Sequence, residues 1–551
     1  NILGELTCEP KLLEAPQANE VVKLLTNTFL QAKNPAVRES VQGQLQKLAV
    51  SEAGGPLIIS SAVPSLLDGL ESTTDEAMAS DCCDGISSIC CYSPEALQSS
   101  IPVLVRLLES SGTEKQAVLL LCLEKSITQS DEQLEARAKV LAQKGVPALL
   151  AQVANGTVGK ERIGAVAAII GAVLRALPDG PEHQELVSHI LSRVAPKDWI
   201  DSTSLDTSAM QIDSQLPKED MQPILCAVLC AATSATLKPH SLSLFKGLLP
   251  GNVAGASCQD PNGQTEGEAI ASVVNKVEKE KLEEIVQITH SELVEGMGQA
   301  ANPRAACATL AWVTRGLLAL GASQATKLAD SLVALMEHED LSIAKTAADA
   351  YGTLAQRTPL SLSKKAHAVE KNLWRQKLFH RELPRLSKGY QTTAKERKGM
   401  YLTSLAHILR YTDPGIIALE LNAVVPLLVQ AVGAEDPLVK FAALQLLYGF
   451  LPSPGPESKD TSPEGLGLML GAHISTLVPS LLVASALKGE VQVRCRALDC
   501  LCSIPGLVEF HKIYPYRAQV TRDVAKGLED HKRAVRSRAA NCRNIWYMVS
   551  S

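Results

Sequence analysis

Closely spaced cysteines are the residues in this sequence that most resemble a chemical site. They occur at Cys82-Cys83 with Cys90-Cys91, at Cys226 with Cys230, and at Cys495 with Cys500 and Cys502. Thiolates in such groups could hold a metal ion or an inorganic cluster. However, these cysteines stand in apolar helical patterns, where cysteine commonly packs as a small hydrophobe, and they lack the loop spacings of a metal knuckle. We therefore predict cysteines in the core, with no metal and no cofactor.

Glycine-rich stretches offer little support for catalysis. The segment from Gly156 to Glu161 contains Gly-Thr-Val-Gly-Lys-Glu, which lacks the full phosphate-loop spacing and the Ser or Thr that would meet magnesium. Gly465, Gly467 and Gly471 miss the dinucleotide-binding spacing by one residue and follow no strand pattern. The sequence also lacks a Gly-x-Ser-x-Gly nucleophile turn and a His-Glu-x-x-His zinc pair. We predict that the protein is not an enzyme.

Composition narrows the remaining functions. Of the 551 residues, 46% are hydrophobic but only 3% are aromatic, which suits small layers of aliphatic side chains between short helices. The formal charge of −6 argues against a general nucleic-acid binder, which needs a basic field. The longest apolar run, 163–174, is too short to cross a bilayer. The 14 scattered cysteines favour a reducing compartment, with the cytosol as the default.

A two-helix unit near the end of the sequence, residues 516–549, indicates how these side chains are positioned. Two helical patterns flank an acidic turn at Glu529 and Asp530, and Val535-Arg536 falls just inside the second helix. A first unit at 19–49 has the same form. There, Asn34 is expected to cap the second helix and Pro35 to occupy its first position. The pattern predicts an all-α solenoid of stacked helix pairs.

Other units are marked by a recurring proline phrase and by a second-helix signature. The proline phrases are Val63-Pro64, Ile101-Pro102, Val146-Pro147, Val425-Pro426 and Val478-Pro479. We expect each proline to lie in the first turn of a helix, where no backbone donor is needed. The signatures Asp436-Pro437 and Glu490-Val491 open second helices, and Arg494 precedes Arg536 by 42 residues, so the repeat register persists.

Three segments interrupt this period and are rich in Ser, Asp, Gly and Pro: 197–220, 249–266 and 452–465. Such segments cannot bury much apolar surface, so we predict surface insertions or loops. The start at Asn1 lacks a methionine and leads directly into a helical pattern. We expect the sequence to begin inside a longer solenoid.

The acidic turn followed by Val-Arg resembles the HEAT repeat, and the later residues resemble a more specific family. The matching stretches are Leu310 to Arg315, Trp374 to Phe379, Tyr401 to Leu409, Tyr514 to Tyr516, Val520 to Arg522, Leu528 to Arg536, and Trp546. They are similar to the C-terminal half of the MMS-nineteen family, the HEAT-repeat adaptor of the cytosolic iron-sulfur assembly targeting complex. Residues 1–270 share only the repeat spacing with that family.

This resemblance implies an adaptor that binds a WD-repeat propeller subunit and a small subunit of the Fam-ninety-six type. It implies delivery of these subunits to apo-proteins that need iron-sulfur clusters, such as DNA-repair and replication enzymes, in the cytoplasm and also in the nucleus. We expect weaker HEAT repeats at 1–270 and partner-docking repeats at 271–551. Two other functions remain open. One is a karyopherin-like or phosphatase-type scaffold, and the other is a direct DNA-binding repair factor.

Basic residues are the candidates for partner binding. The stretch 364–398 is rich in Lys and Arg with interleaved aromatics, and these residue types carry much of the energy of protein interfaces. The alternative for that stretch is a solvated helix face with aromatics in the core. A second basic cluster lies on the final helix, where we expect no following repeat to cover it. The predicted partner-binding residues are Trp374, Arg375, Phe379, Lys440, Arg496, Lys532, Arg533, Arg538 and Arg543.

Overall fold

Helices are the regular elements throughout the computed structural model. It describes residues 15–32, 34–196, 199, 218–255, 261–300, 302–434, 437–451 and 465–549. Within these ranges there is no β-strand. The all-α prediction is therefore confirmed.

The helices are short and follow one another closely. Those of the first half are α1 Ala15–Gln31, α2 Pro35–Val50, α3 Gly54–Leu57, α4 Val63–Ser72, α5 Glu76–Cys90, α6 Pro94–Ser110, α7 Thr113–Thr128, α8 Leu134–Val140, α9 Val146–Ala154, α10 Ile163–Ala176, α11 Pro181–Val194, α12 Lys218–Ala231, α13 Ser234–Leu237, α14 Ser241–Gly255 and α15 Pro261–Asn275.

Those of the second half are α16 Leu282–Thr289, α17 Pro303–Leu320, α18 Ala325–Leu335, α19 Leu341–Ala355, α20 Trp374–Thr392, α21 Lys398–Tyr411, α22 Pro414–Leu419, α23 Leu421–Val432, α24 Pro437–Phe450, α25 Leu466–Ala472, α26 Ile474–Ser485, α27 Val491–Ser503, α28 Phe510–Ile513, α29 Arg517–Ala525 and α30 Arg533–Tyr547. Single turns of 3-10 helix lie between several of them, and π-helical turns occur at Ile58–Ala62, Leu141–Gly145 and His290–Glu295.

The second helix of a pair begins at a polar residue that satisfies its first backbone donors. The Asn34 side chain accepts a hydrogen bond from the amide of Ala36 at 3.0 Å, and Pro35 is the first residue of α2, as predicted. Asp340 caps α19 in the same way, accepting from the amide of Ser342 at 2.7 Å. Local capping chemistry therefore sets the start of these helices.

The prediction that each recurring proline lies in the first turn of a helix is wrong for three of the five. Pro102, Pro426 and Pro479 lie inside α6, α23 and α26. Pro64 and Pro147 are the second residues of α4 and α9, as predicted, although the π-helical turns Ile58–Ala62 and Leu141–Gly145 lead into these helices without a break. An interior proline removes one backbone hydrogen bond and its ring crowds the preceding turn, which a π-turn can accommodate. The phrase therefore lies either inside an α-helix or at the start of an α-helix that continues a π-turn.

The predicted insertions lie partly outside the described residues. This applies to nearly all of 197–220 and to 452–464 within the third segment. Helix α14 extends to Gly255 and α15 begins at Pro261, so the structure has helix over most of 249–266, where the composition predicted a loop. The two helices belong to a repeat, which can impose helix on a segment of weak intrinsic preference.

The chain forms two compact units. Unit 1 comprises 1–252, 259–285 and 359–370, and unit 2 comprises 253–258, 286–358 and 371–551. Within each unit the second helices pack side by side in one row. The row of unit 1 is α2, α5, α7, α10, α12 and α15, and that of unit 2 is α17, α19, α21, α24, α27 and α30. This arrangement is the HEAT solenoid. The division into repeats at 1–270 and partner-docking repeats at 271–551 stays a prediction.

The Val-Arg position links consecutive repeats. In unit 1 the guanidinium of Arg38 donates to both carboxylate oxygens of Asp81 at 2.5 and 2.8 Å. In unit 2, Arg494 donates to the carbonyl of Leu487 at 2.8 Å and its Nε lies 2.9 Å from an oxygen of Asp530. Each arginine thus joins its own helix to an acidic residue one repeat further along. The arginine of the Val-Arg position therefore has a structural role in these two repeats.

The cysteines are core residues. All twelve cysteines in the described ranges are buried, and burial raises the pKa of Cys90 and of Cys230 to about 12. Thiols with such pKa values stay protonated near neutral pH and are poor ligands and nucleophiles. The described residues contain no group of three or more His, Cys, Asp or Glu side chains arranged to hold a metal ion.

No single described helix is long and apolar enough to span a bilayer. Two bent pairs meet the length and composition requirement only when taken together, α2 with 54–72 and α25 with α26, and their bends are 117° and 85°.

Candidate functional site

Helix α30 presents two different faces. Val535, Ala539, Cys542 and Trp546 follow helical spacing and are buried, and the Trp546 indole Nε1 donates to the carbonyl of Leu501 at 2.8 Å. This apolar face packs against α27, the preceding second helix of the row. Because these four residues fix which side of α30 faces the core, they also fix which residues of α30 face solvent.

A basic stripe runs along the exposed part of α30, beside the buried face. Arg533, Arg536, Arg543 and Tyr547 are exposed and lie three, seven and four residues apart, so they line up along one side of the helix. We call these four residues the α30 stripe. It presents three positive charges and one large aromatic ring, whose side chain is 67% exposed. Arg and Tyr are residue types that frequently anchor protein interfaces.

The position of the charges is unfavourable for the helix itself. The exposed Lys532 is the residue before α30, Arg533 is its first residue, and the first turn contains no acidic side chain. The N-terminus of a helix carries a partial positive charge, so each cation there costs roughly 0.3–1 kcal/mol instead of stabilising the helix. An anionic partner docked at this end would remove the penalty. Lys532 and Arg533 therefore remain strong candidates.

Arg538, Arg496 and Lys440 are engaged within the solenoid. Asp499 on α27 lies 2.9 Å from Nε of Arg538 and 3.3 Å from an amino nitrogen of Arg496. Arg496 also stacks over the ring of Tyr448 at 4.6 Å. The Lys440 side chain is buried, and this burial lowers its pKa. These three cations are weaker interface candidates than the sequence suggested, because their charge is already matched or removed from the surface.

Trp374 and Phe379 lie in the core of unit 2, with exposed fractions of 4% and 0%. Their prediction as interface anchors is corrected, and the alternative of core aromatics is what the structure shows. Trp374 is packed between two guanidinium groups, with Arg315 at 4.0 Å and Arg375 at 4.8 Å from its ring. Arg375 also donates to the hydroxyl of Thr358 at 2.7 Å. Arg375 is therefore half-buried and serves packing.

Part of the positive charge of 364–398 is neutralised internally. Glu382 is fully buried, and its carboxylate lies 2.6 Å from Arg381 and 3.3 Å from Arg385. Burial raises the pKa of Glu382, while Arg385 and Arg381 oppose that rise. Asp330, on the neighbouring α18, meets both arginines at 2.5 Å. The excess of basic residues in the sequence therefore overstates the charge available to a partner.

Two functional candidates were missed by the sequence reasoning. Tyr547 completes the α30 stripe, and Arg517 donates to the carbonyls of Trp546 and Tyr547 at 3.3 and 2.6 Å. Arg517 thereby satisfies two backbone carbonyls at the C-terminal end of α30, and its guanidinium carbon lies 5.6 Å from the centre of the Tyr547 ring. The spacing of Arg533, Arg543 and Tyr547 was a signal that could have revealed the stripe, whereas the Arg517 contact had no local signal.

Comparison with known proteins identifies the family of this chain. The family model described as "RNAPII transcription regulator C-terminal", MMS19_C, matches residues 82–505, which is more than half of the chain. The chain belongs to the MMS19 family. This confirms the resemblance to the MMS-nineteen family, and it extends the match well into residues 1–270, where the sequence reasoning found only repeat spacing.

Relatives from distant organisms agree with this assignment. The MMS19 nucleotide excision repair protein homolog of Xenopus tropicalis is 27% identical over 329 residues, covering 60% of this chain and 30% of the relative. The DNA repair/transcription protein mms19 of Schizosaccharomyces pombe is 27% identical over 286 residues, covering 51% and 26%. The Danio rerio homolog is 23% identical over 599 residues, covering 100% and 55%. The matched part of the chain thus spans only about a quarter to just over a half of the length of these relatives.

Solved structures with a similar chain path include karyopherins. Kap121p bound to Ste12p has a TM-score of 0.48 and 12% identity, covering 98% of this chain and 52% of Kap121p. Kap121p bound to Pho4p has a TM-score of 0.47 and 12% identity, covering 98% and 53%.

Proposed function

We propose that this MMS19-family protein is a non-enzymatic adaptor of the cytosolic iron-sulfur protein assembly targeting complex. It binds a WD-repeat propeller subunit and a small subunit of the Fam-ninety-six type, and links them to apo-proteins such as DNA-repair and replication enzymes. It acts in the cytoplasm and in the nucleus, without a cofactor or metal of its own. Family membership, together with a solenoid that presents long helix rows, supports this proposal.

The α30 stripe is the observation that carries the docking proposal. The first turn of α30 contains no acidic side chain that could balance the positive charge of the stripe. The guanidinium of Arg536 donates to the backbone carbonyls of Asp530 and His531, at 2.7 and 3.1 Å. By contrast, Arg494 occupies the same repeat position and reaches a carboxylate. An acidic surface on a targeting subunit would supply the missing negative charge and speed association through electrostatic steering. Repeats 420–551 are the proposed docking region.

Affinity purification from cytosol tests the overall function. The intact chain, tagged and expressed in cells, is expected to recover a WD-repeat propeller protein and a small Fam-ninety-six-type protein, identified by mass spectrometry. Recovery of nuclear transport cargo with neither targeting subunit would instead support the karyopherin-like alternative and contradict the proposal.

Charge reversal tests the docking surface without truncating the solenoid. The double variant Arg533→Glu and Arg543→Glu should reduce partner recovery by about tenfold or more, because each change replaces attraction with repulsion. The matched control is Lys345→Glu, which reverses an exposed lysine on α19 of the same unit. Circular dichroism should show both proteins folded. Equal recovery with the double variant and the control would remove the stripe from the proposed interface.

A further inference from the structure

Residues 359–370, here called the crossing segment, lie far along the chain from the helices that they contact. The segment belongs to unit 1, whereas the residues on either side of it, Thr358 and Lys371, belong to unit 2. It has only two single turns of 3-10 helix, Leu360–Leu362 and Lys364–Ala366. These turns pack on α10, α12 and α15 in the second-helix row of unit 1. The segment therefore lies on that row as an irregular chain.

Asn275, at the end of α15, holds the backbone of the crossing segment. Its side-chain Nδ2 donates to the carbonyl of Val369 at 2.9 Å, and the amide of Val369 donates to its Oδ1 at 2.8 Å. One side-chain amide thus pairs with both main-chain groups of a single residue, 94 positions away. The Val369 side chain is 43% exposed, so the contact depends on the backbone and not on the identity of that residue. Main-chain pairing of this kind is a general way to bind an extended peptide.

A few side chains anchor the rest of the segment. Leu362 and Ala366 are fully buried and Ala368 is 6% exposed. Ser361 donates its hydroxyl hydrogen to a carboxylate oxygen of Glu268 on α15 at 3.0 Å. The contact surface thus accepts a hydroxyl, one branched apolar side chain and two small residues.

The His367 ring is the last anchor of the segment. Its Nε2 lies 3.4 Å from the carbonyl of Leu174 at the end of α10, and its ring meets the ring of His183 edge-on at 5.3 Å. His367 has a left-handed backbone, with φ of 57°, which turns the chain toward Val369. Lys364 and Lys365, in the second 3-10 turn of the segment, are exposed to solvent. The segment is thus held on one side and displays two lysines on the other.

We propose that the crossing segment is an internal ligand, and that the surface it covers on α10, α12 and α15 is a peptide-binding site. When vacated, the site takes an extended peptide from a partner protein with the same chemistry: a hydroxyl residue followed by a branched apolar residue, then small residues four and six positions after the apolar one. Asn275 then pairs with the backbone of the incoming peptide in place of Val369.

The covalent connection sets how strongly the internal ligand competes. A tethered segment has an effective concentration on the order of millimolar relative to its site. A free peptide at micromolar concentration is therefore largely excluded from the intact chain. Replacing the segment removes this competitor and should expose the site.

Peptide binding in trans tests the proposal. The full chain is prepared with residues 360–369 replaced by a Gly/Ser linker of the same length, which leaves Asn275, Glu268 and the helices unchanged. The probe is a fluorescein-labelled synthetic peptide with the sequence of residues 359–370, followed by fluorescence anisotropy. The linker variant should bind the probe saturably and at least about tenfold more tightly than the intact chain does.

Two matched changes test the contacts. Asn275→Ala in the linker variant should weaken binding by at least about tenfold, because two hydrogen bonds are lost and each contributes on the order of 1 kcal/mol. In the probe, an aspartate in place of Leu362 should abolish binding, whereas an alanine in place of the exposed Val369 should leave the affinity within about twofold. Equal effects of the last two changes would contradict the contact geometry.

The outcome that overturns the proposal is a folded linker variant with no saturable binding of the probe. Unfolding of unit 1 in the linker variant would also contradict the proposal, because a ligand can be removed without unfolding its receptor. If hydrogen exchange shows that α10, α12 and α15 lose protection both in the linker variant and in Leu362→Asp of the intact chain, the segment is an integral part of the fold and not a ligand.

Discussion

Lys276, which follows α15 in unit 1, offers the sharpest test of the packing described above. Its side chain is 1% exposed, and Nζ donates to the carbonyl of Cys230 at 3.1 Å in the last turn of α12. Burial lowers the pKa of Lys276 from its usual 10.5 to about 7. The amine is therefore largely neutral above pH 7 in the folded protein, while the same side chain is charged in the unfolded chain.

The pH dependence of stability follows from this difference. Between pH 7 and pH 10.5 the unfolded chain binds one proton more than the folded chain, so stability rises with pH in that window. The slope is about 1.36 kcal/mol per pH unit where the difference is complete. Between pH 7.5 and 9.5 the free energy of unfolding should therefore increase by about 2.5 kcal/mol through Lys276 alone.

Lys276→Met isolates that contribution. Methionine retains most of the side-chain volume and cannot bind a proton, so the variant should be more stable than the original protein at pH 7.5. Its advantage should shrink by about 2.5 kcal/mol at pH 9.5. The measurement is urea unfolding followed by circular dichroism at both pH values. Taking the difference between the two proteins cancels the titration of thiols that they share.

The matched control is Lys238→Met, which changes an exposed lysine of the same unit. The difference in free energy of unfolding between Lys238→Met and the original protein should be the same at pH 7.5 and at pH 9.5. A Lys276→Met difference that is equally constant would mean that Lys276 is charged in the folded protein. The burial argument for this residue would then be refuted.

Two further predictions concern unit 2. Arg494→Ala should lower the free energy of unfolding by about 2–3 kcal/mol, because its side chain is only 11% exposed and the largely buried carboxylate of Asp530 would lose its cation. Arg536→Ala, at the same repeat position but exposed, should lower the free energy of unfolding by less than about 0.5 kcal/mol, as measured by thermal unfolding. Gly389→Ala should destabilise α20, because a Cβ there would collide with the buried ring of Tyr401, whereas Gly449→Ala on α24 meets no atom within 4 Å and should stabilise by about 0.5–1 kcal/mol. Similar thermal shifts for both members of either pair would contradict these contacts.

The repeat architecture could be predicted from the sequence because its signals are local. The cap at Asn34, the first-position Pro35 and the start of α30 near Val535 depend on hydrogen bonds and spacing within one or two helical turns. The proline phrases carried less information, because proline fixes only one dihedral angle and removes one donor. A π-turn before Pro64 and a continuous helix around Pro102 are both compatible with that restriction.

The candidate surface was predictable only in part. Exposure of Arg533 and Arg543 follows from the helical spacing of the apolar residues on α30. The ion pair of Arg538 with Asp499 joins two helices 39 residues apart, and the burial of Trp374 depends on guanidinium groups from two helices. No local pattern distinguishes a cation that faces solvent from one that meets a carboxylate of the next repeat.

The sequence by itself determined the repeat period, the capped helix start at Asn34 and the family, since each depends on residue types at short and regular spacing. Tertiary structure alone decided which charges remain unmatched and where the crossing segment lies. The pairing of Asn275 with Val369 spans 94 residues, and that of Leu174 with His367 spans 193. Contacts at such separation depend on how the stacked helices bring distant surfaces together, and the chain carries no local signal for them.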